Sequence, residues 1–357
     1  MNKILWKIII AGIFITQSLF AQSDSTFKPE GKMIIQVINR AIFNNQGSKN
    51  TYGDYINRSH FGYAYQFSPD WKAAIVLDAG RPTIFGNLKV KDSSDNNLNS
   101  TYNYKQGSYY TLTLKFSYIE FDPTENIRLQ AGGILQNHYI TQEKFWGYRY
   151  ILETFPDKYF GIPSGDLGFI GYFDINKWLS FDLALTNGEG FKRIQDNFGN
   201  IKIGGGIDVH PIKGIIARFY YDNSSSSDPI AKGDEQLISG FIGYKKSKNF
   251  RIGAEYDYHK NHNHFIDNNL YGYSIYGSYI LEDNLELFLR YDNLESNTLQ
   301  SETNPWNYQN DGYAYIGGIH FSPVKGVSLS LSYQGWQAFD SSLQFTNNLI
   351  FAFEYKI

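Results

Sequence analysis

From residue 31 to the end of the chain, apolar and polar side chains alternate, and this period of two limits the possible folds more than any other feature. In Leu285-Glu286-Leu287-Phe288-Leu289-Arg290-Tyr291-Asp292 the odd positions are Leu, Leu, Leu and Tyr. The even positions are Glu, Phe, Arg and Asp. Val327-Ser328-Leu329-Ser330-Leu331-Ser332-Tyr333-Gln334 and Leu179-Ser180-Phe181-Asp182-Leu183-Ala184-Leu185-Thr186 repeat the pattern. Successive side chains of a strand point to opposite faces, so each segment reads as a strand with one apolar face. The opposite face is Gly, Ser, Thr and charge. It cannot build a dry core, which argues against a secreted sandwich or propeller, but it can line water.

Sixteen segments alternate in this way: 31–43, 56–67, 71–81, 109–121, 127–136, 166–175, 178–187, 199–210, 213–222, 235–246, 249–260, 269–281, 284–295, 311–322, 325–336 and 344–356. Most reach the roughly 9–11 residues that a tilted strand needs to cross a bilayer. Short turns such as Ser68-Pro69-Asp70, Asn176-Lys177 and Pro323-Val324 join every second pair. Between them lie long polar loops, at 44–55, 82–108, 137–165, 188–198, 223–234, 261–268, 296–310 and 337–343. An even number of antiparallel strands, with short turns at one end and long loops at the other, is the pattern of a transmembrane β-barrel. Edge N–H and C=O groups cannot stay unpaired in hydrocarbon. Strand 31–43 is therefore expected to pair with strand 344–356 and close the barrel.

Composition excludes the competitors. Of 357 residues, 19% are charged and 17% aromatic, and none is Cys. A disordered chain has fewer aromatics. Without Cys there is no disulfide framework and no thiolate chemistry. A formal net charge of −3 has the wrong sign for a nucleic-acid partner. No stretch after the N-terminus is long and apolar enough for a membrane helix. At the N-terminus, Lys3 and Lys7 precede the apolar run Ile8–Ile15, and Leu19-Phe20-Ala21 supplies a small residue at a cut site. Residues 1–21 thus read as a secretory signal, with an uncleaved anchor as the alternative. A short segment 22–30 precedes a single barrel domain, 31–357.

Aromatic residues recur near strand ends, as amphipathic rings at a membrane interface would. Trp71 and Trp178 open strands, Trp336 closes one, and Phe67, Phe121, Phe321, Tyr244 and Tyr279 flank short turns. Alternation puts Arg40, Arg58, Lys115, Arg128, Arg218, Arg290, Asp182, Asp208 and Glu286 on the non-lipid face. A Lys or Arg facing lipid at mid-membrane costs about 2–4 kcal/mol, so these groups are expected to face water in the lumen. Sixteen strands are too wide for side chains to fill, and an aqueous channel is expected. Many of these charges can equally pair with one another along the wall.

The loop 137–165 is exceptional. Phe145, Tyr148, Leu152 and Phe155 fall at i, i+3, i+7 and i+10 in 141–155, a helical stripe that Thr141 can cap and Pro156 ends. Arg149 and Glu153 are spaced for an i, i+4 pair. Folded inward, the stripe would be buried and Lys144, Arg149 and Glu153 would stand at a constriction. Lying outside, it would be a surface patch or a subunit latch. At these residues a resemblance enters. Glu143-Lys144-Phe145-Trp146-Gly147-Tyr148-Arg149-Tyr150, then Ser164-Gly165-Asp166-Leu167-Gly168, resembles the porins of Bacteroidetes-type outer membranes, akin to phosphate-selective porins. Phe61-Gly62-Tyr63-Ala64-Tyr65-Gln66-Phe67, Trp71 and Leu77-Asp78-Ala79-Gly80-Arg81 resemble them too. The resemblance implies an outer-membrane porin passing small hydrophilic solutes or ions, embedded in outer-membrane lipid, with a homotrimer as one assembly open to it. It does not imply phosphate, because no dense Lys/Arg ladder is visible. The alternative is a barrel that binds a partner at the cell surface or serves as a subunit of an uptake complex.

Other motifs carry less. His259, His262 and His264 have a spacing that suits Zn²⁺ or Cu²⁺, yet a polar loop of this kind is more simply solvated. No Ser stands beside a His in a recognisable motif, so no enzyme activity is expected. No metal or other cofactor is expected either. Gly204-Gly205-Gly206 lies within a strand and so is not a phosphate loop.

Overall fold

The computed structural model describes residues 27–80, 90–91, 97–98, 111–192, 199–226, 233–246 and 249–357. Residues 1–21, read as a signal, lie outside the described residues, as does most of the loop 82–108. Sixteen strands form one closed barrel. They are β1 (Glu30–Gln46), β2 (Lys49–Gln66), β3 (Trp71–Gly80), β4 (Thr111–Thr124), β5 (Ile127–Leu135), β6 (Gly165–Asn176), β7 (Leu179–Thr186), β8 (Lys202–Val209), β9 (Ile215–Ser224), β10 (Glu235–Lys246), β11 (Phe250–Lys260), β12 (Leu270–Glu282), β13 (Leu285–Ser296), β14 (Gly312–Val324), β15 (Val327–Ala338) and β16 (Thr346–Lys356). Every strand pairs antiparallel with its neighbours in sequence. β1 closes on β16 from Gln36↔Lys356 to Gln46↔Thr346. No helix among the described residues is long and apolar enough to cross a membrane.

The alternation read from the sequence becomes two faces. On β13, Leu287 and Leu289 are exposed while Phe288, Arg290 and Asp292 are buried. On β8, Ile203 and Ile207 point out while Lys202 is buried. Aromatic rings gather where the strands end: Trp71 stacks on Phe121 at 4.5 Å, and Trp178 is exposed beside its turn. Tyr273, Tyr291 and Tyr315 form a second outward row, 5.3–6.0 Å from ring to ring.

Three expectations need correction. The segment 44–55 is not a loop. β1 and β2 continue through it as a hairpin, paired to Gln46↔Lys49, and turn on Gly47-Ser48 with Gly47 at φ 59°. Its side chains are mostly polar, so alternation has nothing to sort. Trp336 does not join an outer girdle: it stacks on Tyr159 at 5.7 Å and packs against the buried clusters inside the barrel. The helical reading of 141–155 is also too long. Only α1 (Ile140–Trp146) is α-helical, and the Pro156–Phe160 turn is separate.

Candidate functional site: the segment inside the barrel

Residues 136–164 join β5 to β6 through the interior of the barrel. α1 ends at Gly147, which adopts φ 75° and donates its N–H to the Glu143 carbonyl. That left-handed residue turns the chain, and so the helix stops one turn into its apolar stripe. The chain closes a loop instead: Trp146 Nε1 donates to the Leu152 carbonyl at 3.0 Å. Thr141 does not cap the helix; its Oγ1 donates to the Asp208 carboxylate at 2.9 Å.

The stripe is buried all the same. Trp146, Tyr148, Tyr150, Ile151 and Leu152 pack on Ile38, Phe241, Tyr276, Phe288, Ile316 and Ile350, inward residues of six strands, with Phe145 against them. Trp146 meets Tyr276 at 5.0 Å and Tyr148 meets Phe288 at 5.1 Å. Further along, Phe155, Phe160 and Ile162 pack on Tyr220, Leu237, Leu270 and Leu294. Irregular backbone at this depth needs partners from the protein itself.

The wall charges supply those partners. Arg40 donates from Nε and Nη2 to the Tyr150 carbonyl, at 3.2 and 3.0 Å. Arg290 donates to the Glu153 carbonyl at 2.7 Å and pairs with Asp292 at 2.7 Å. Arg218 pairs with Asp182 and Asp208, each at 2.8 Å, and also donates to the Asn137 carbonyl at 2.8 Å. Asp182 accepts from Asn137 Nδ2 at 2.6 Å. Glu286 accepts from the Tyr148 hydroxyl and lies 3.6 Å from Arg251, whose guanidinium covers the Tyr148 ring.

The expectation that these groups face open water is therefore corrected for Arg40, Lys115, Arg218, Arg290 and Asp182, which are buried. Asp208 and Glu286 are only partly so, but they too hold the segment. Buried charges are tolerated here because each is paired or hydrogen-bonded.

Arg149 and Glu153 do not pair, because the helix that would align them has ended. Arg149 bridges Glu143 and Asp157 instead, the latter at 2.5 Å. Burial raises the Glu143 carboxyl above its usual range, and the charge of Arg149 opposes the rise. Burial would raise Glu153 as well, but Arg40, Lys158 and Arg149 outweigh it and hold it down at about 2.

On β2, Arg58 lies 3.9 Å from Asp78, and on β4 the buried Lys115 has its Nζ 3.2 Å from His60 Nε2. Lys144 and Arg128 remain exposed and line a cavity of about 890 Å³ at the short-turn end, together with Asp208, Asp182 and Gln130. At the long-loop end a cavity of about 520 Å³ is lined by Arg58, Asp157, Lys202 and Glu235.

Sequence reasoning missed several anchors. Asn137 and Gln142 are fully buried, and Gln142 donates to Ser239 Oγ at 3.1 Å. The Tyr150 hydroxyl lies 2.7 Å from His320 Nδ1, and the Tyr159 hydroxyl donates to Asp292 at 2.8 Å. The only signal was the density of tyrosines and amides around the stripe, which marks a segment that must satisfy its backbone away from water.

The closed sixteen-strand barrel is a fold found in solved outer-membrane porins. Solved structures share it at low sequence identity. The outer-membrane channel DcaP of Acinetobacter baumannii matches with a TM-score of 0.59 and 13% identity, over 95% of this chain and 100% of that one. The anion-selective porin from Comamonas acidovorans matches with a TM-score of 0.65 and 10% identity, over 92% and 100%. Pseudomonas putida OprB matches with a TM-score of 0.63 and 10% identity, over 92% and 94%. No protein-family model and no curated protein matches the sequence.

Proposed function

We propose that this protein is an outer-membrane porin, a channel for passive diffusion of small hydrophilic solutes or ions, narrowed by residues 136–164. One observation carries the reading. An internal segment is fastened to one side of the lumen by wall charges, while charged cavities lie toward both ends. A surface adhesin needs no such segment, and a passage of controlled width does. The resemblance of 143–150 to Bacteroidetes-type porins supports the reading, as does the porin fold shared with solved channels. Export by a cleaved signal at 1–21, a place in the outer membrane and assembly as a homotrimer belong to the same proposal. So do the roles of Lys144, Arg149, Arg58 and Arg128 along the solute path.

The fixed charges on and facing the inner segment have both signs: Arg149 with Glu143 and Asp157, and Arg58 with Asp78. Selectivity from charged rings is then local rather than global. The test is planar-bilayer conductance of the purified protein beside a variant lacking residues 142–155. Stable steps that grow larger in the deletion are expected. Steps that do not grow would leave a porin without a constriction. If neither folded protein conducts, the reading moves to a surface-binding barrel.

A further inference from the structure

The three histidines of the 259–264 run do not behave as a solvated loop. His259 is the penultimate residue of β11, on the inward face, and only 2% exposed. The chain then reverses through Asn261 and Asn263, each at φ 54°, and His264 at φ 62°. This tight turn swings the His262 ring back over the strand end. The Nδ1 atoms of His259 and His262 come to 3.2 Å from each other. On its far side, His259 Nε2 lies 3.2 Å from Glu235 Oε1, on the adjacent strand β10. One donor atom from each of Glu235, His259 and His262 lies within 4.8 Å of the others. Both rings are held in place: Phe160 stacks on His259 at 5.3 Å and Trp306 on His262 at 5.8 Å. His264 turns away, its Nδ1 2.9 Å from the Gly233 carbonyl.

Two imidazole nitrogens face to face need something between them, either a single shared proton or a cation. With Glu235 accepting the Nε2 proton of His259, the Nδ1 lone pair of that ring points at His262. A carboxylate behind a histidine, fixing its tautomer and raising its basicity, is the usual outer partner of a metal-bound imidazole. Two nitrogens bound ~2.0–2.1 Å from a tetrahedral zinc are about 3.3 Å apart, close to the spacing here. The neighbouring Lys202 does not repel a cation strongly, because Asp222 pairs with it at 2.8 Å. All three residues line the 520 Å³ cavity at the long-loop end, so an ion has access from that side.

We propose that His259 and His262, with Glu235 positioning His259, form a binding site for a divalent transition-metal ion of the zinc class at the outer end of the lumen. The site is built from a barrel strand and a turn strapped over it. It does not depend on whether the barrel conducts.

The test is calorimetric titration of the folded, untagged protein in detergent with ZnCl₂, followed by Cu²⁺ electron paramagnetic resonance as a second probe. Wild type should bind one Zn²⁺ per chain, and its Cu²⁺ spectrum should show nitrogen ligation. His262→Ala lies in a turn outside the strands and should abolish both signals while the barrel stays folded. Glu235→Gln should weaken Zn²⁺ binding about 10–100-fold, as loss of an outer-shell partner does. His264→Ala should bind as wild type does. Absence of Zn²⁺ binding by folded wild type would overturn the proposal. So would equal binding by wild type and His262→Ala, which would leave the two rings joined only by a shared proton.

Discussion

At the scale of single residues, the lumen charges act as fasteners. Arg218 shows why. Its side chain is 1% exposed, and its fork spans Asp182, Asp208 and the Asn137 carbonyl. A lysine would offer its three donors from a single point, without the rigid, spread fork of a guanidinium that matches these separated acceptors. Arg218→Met removes one cation and leaves two neighbouring carboxylates beside each other with no counter-charge. Breaking a buried pair in this way costs about 3–5 kcal/mol. The variant should unfold at markedly lower denaturant, and proteases should cut within 136–164 before they touch the barrel. Asp208→Asn should cost less, because Arg218 keeps Asp182. Equal stability of Arg218→Met and wild type would mean that the arginine is not what ties the segment to the wall.

At the scale of elements, the bend at Gly147 decides how the inner segment lies. An L-residue in the left-handed region costs roughly 1–2 kcal/mol. A Cβ here would also sit 2.7 Å from Arg251 Nη1, the guanidinium that covers the Tyr148 ring. Gly147→Ala should therefore lower stability by about that amount and broaden the distribution of conductance steps, since the segment loses its fixed turn. A single step size and unchanged stability would refute this. The same bend explains what the sequence left hidden. The stripe Phe145, Tyr148, Leu152 and Phe155 was legible as a buried face, because apolar residues in a polar loop must go somewhere dry. It was not legible that the face would be presented by a broken helix. Periodicity reports which side chains share an environment, whereas one glycine at positive φ sets the path. The Arg149–Glu153 pairing failed for that reason. The hairpin at 44–55 was missed for the converse one: its strands have no dry side, so their order left no alternation to read. The His259–His262 contact was out of reach as well, because it depends on a turn made by residues at positive φ.

At the scale of the whole molecule, closure and sidedness follow from one repeated choice, made residue by residue along sixteen strands. That choice was legible almost everywhere, because a slip of one residue would turn every apolar side chain from lipid to lumen. Leu289 and Arg290 put it in its sharpest form. They are neighbours on β13, opposite Gly317 and Ile316 of β14. Leu289 is 72% exposed on the outer face, and Arg290 is buried inside against Asp292. The barrel tolerates a guanidinium at 290 because it meets a carboxylate and a backbone carbonyl there. One position earlier the same group would meet hydrocarbon. Leu289→Arg should then cost about 2–4 kcal/mol in a bilayer, the penalty for a lipid-facing cation near the midplane. In detergent-free denaturant, where the unfolded chain is the reference, refolding into vesicles should fall accordingly. Leu289→Ile, which keeps the face apolar, should refold like wild type. If Leu289→Arg inserts as well as Leu289→Ile, the outer face of β13 does not lie against lipid, and the barrel is not a membrane-spanning one.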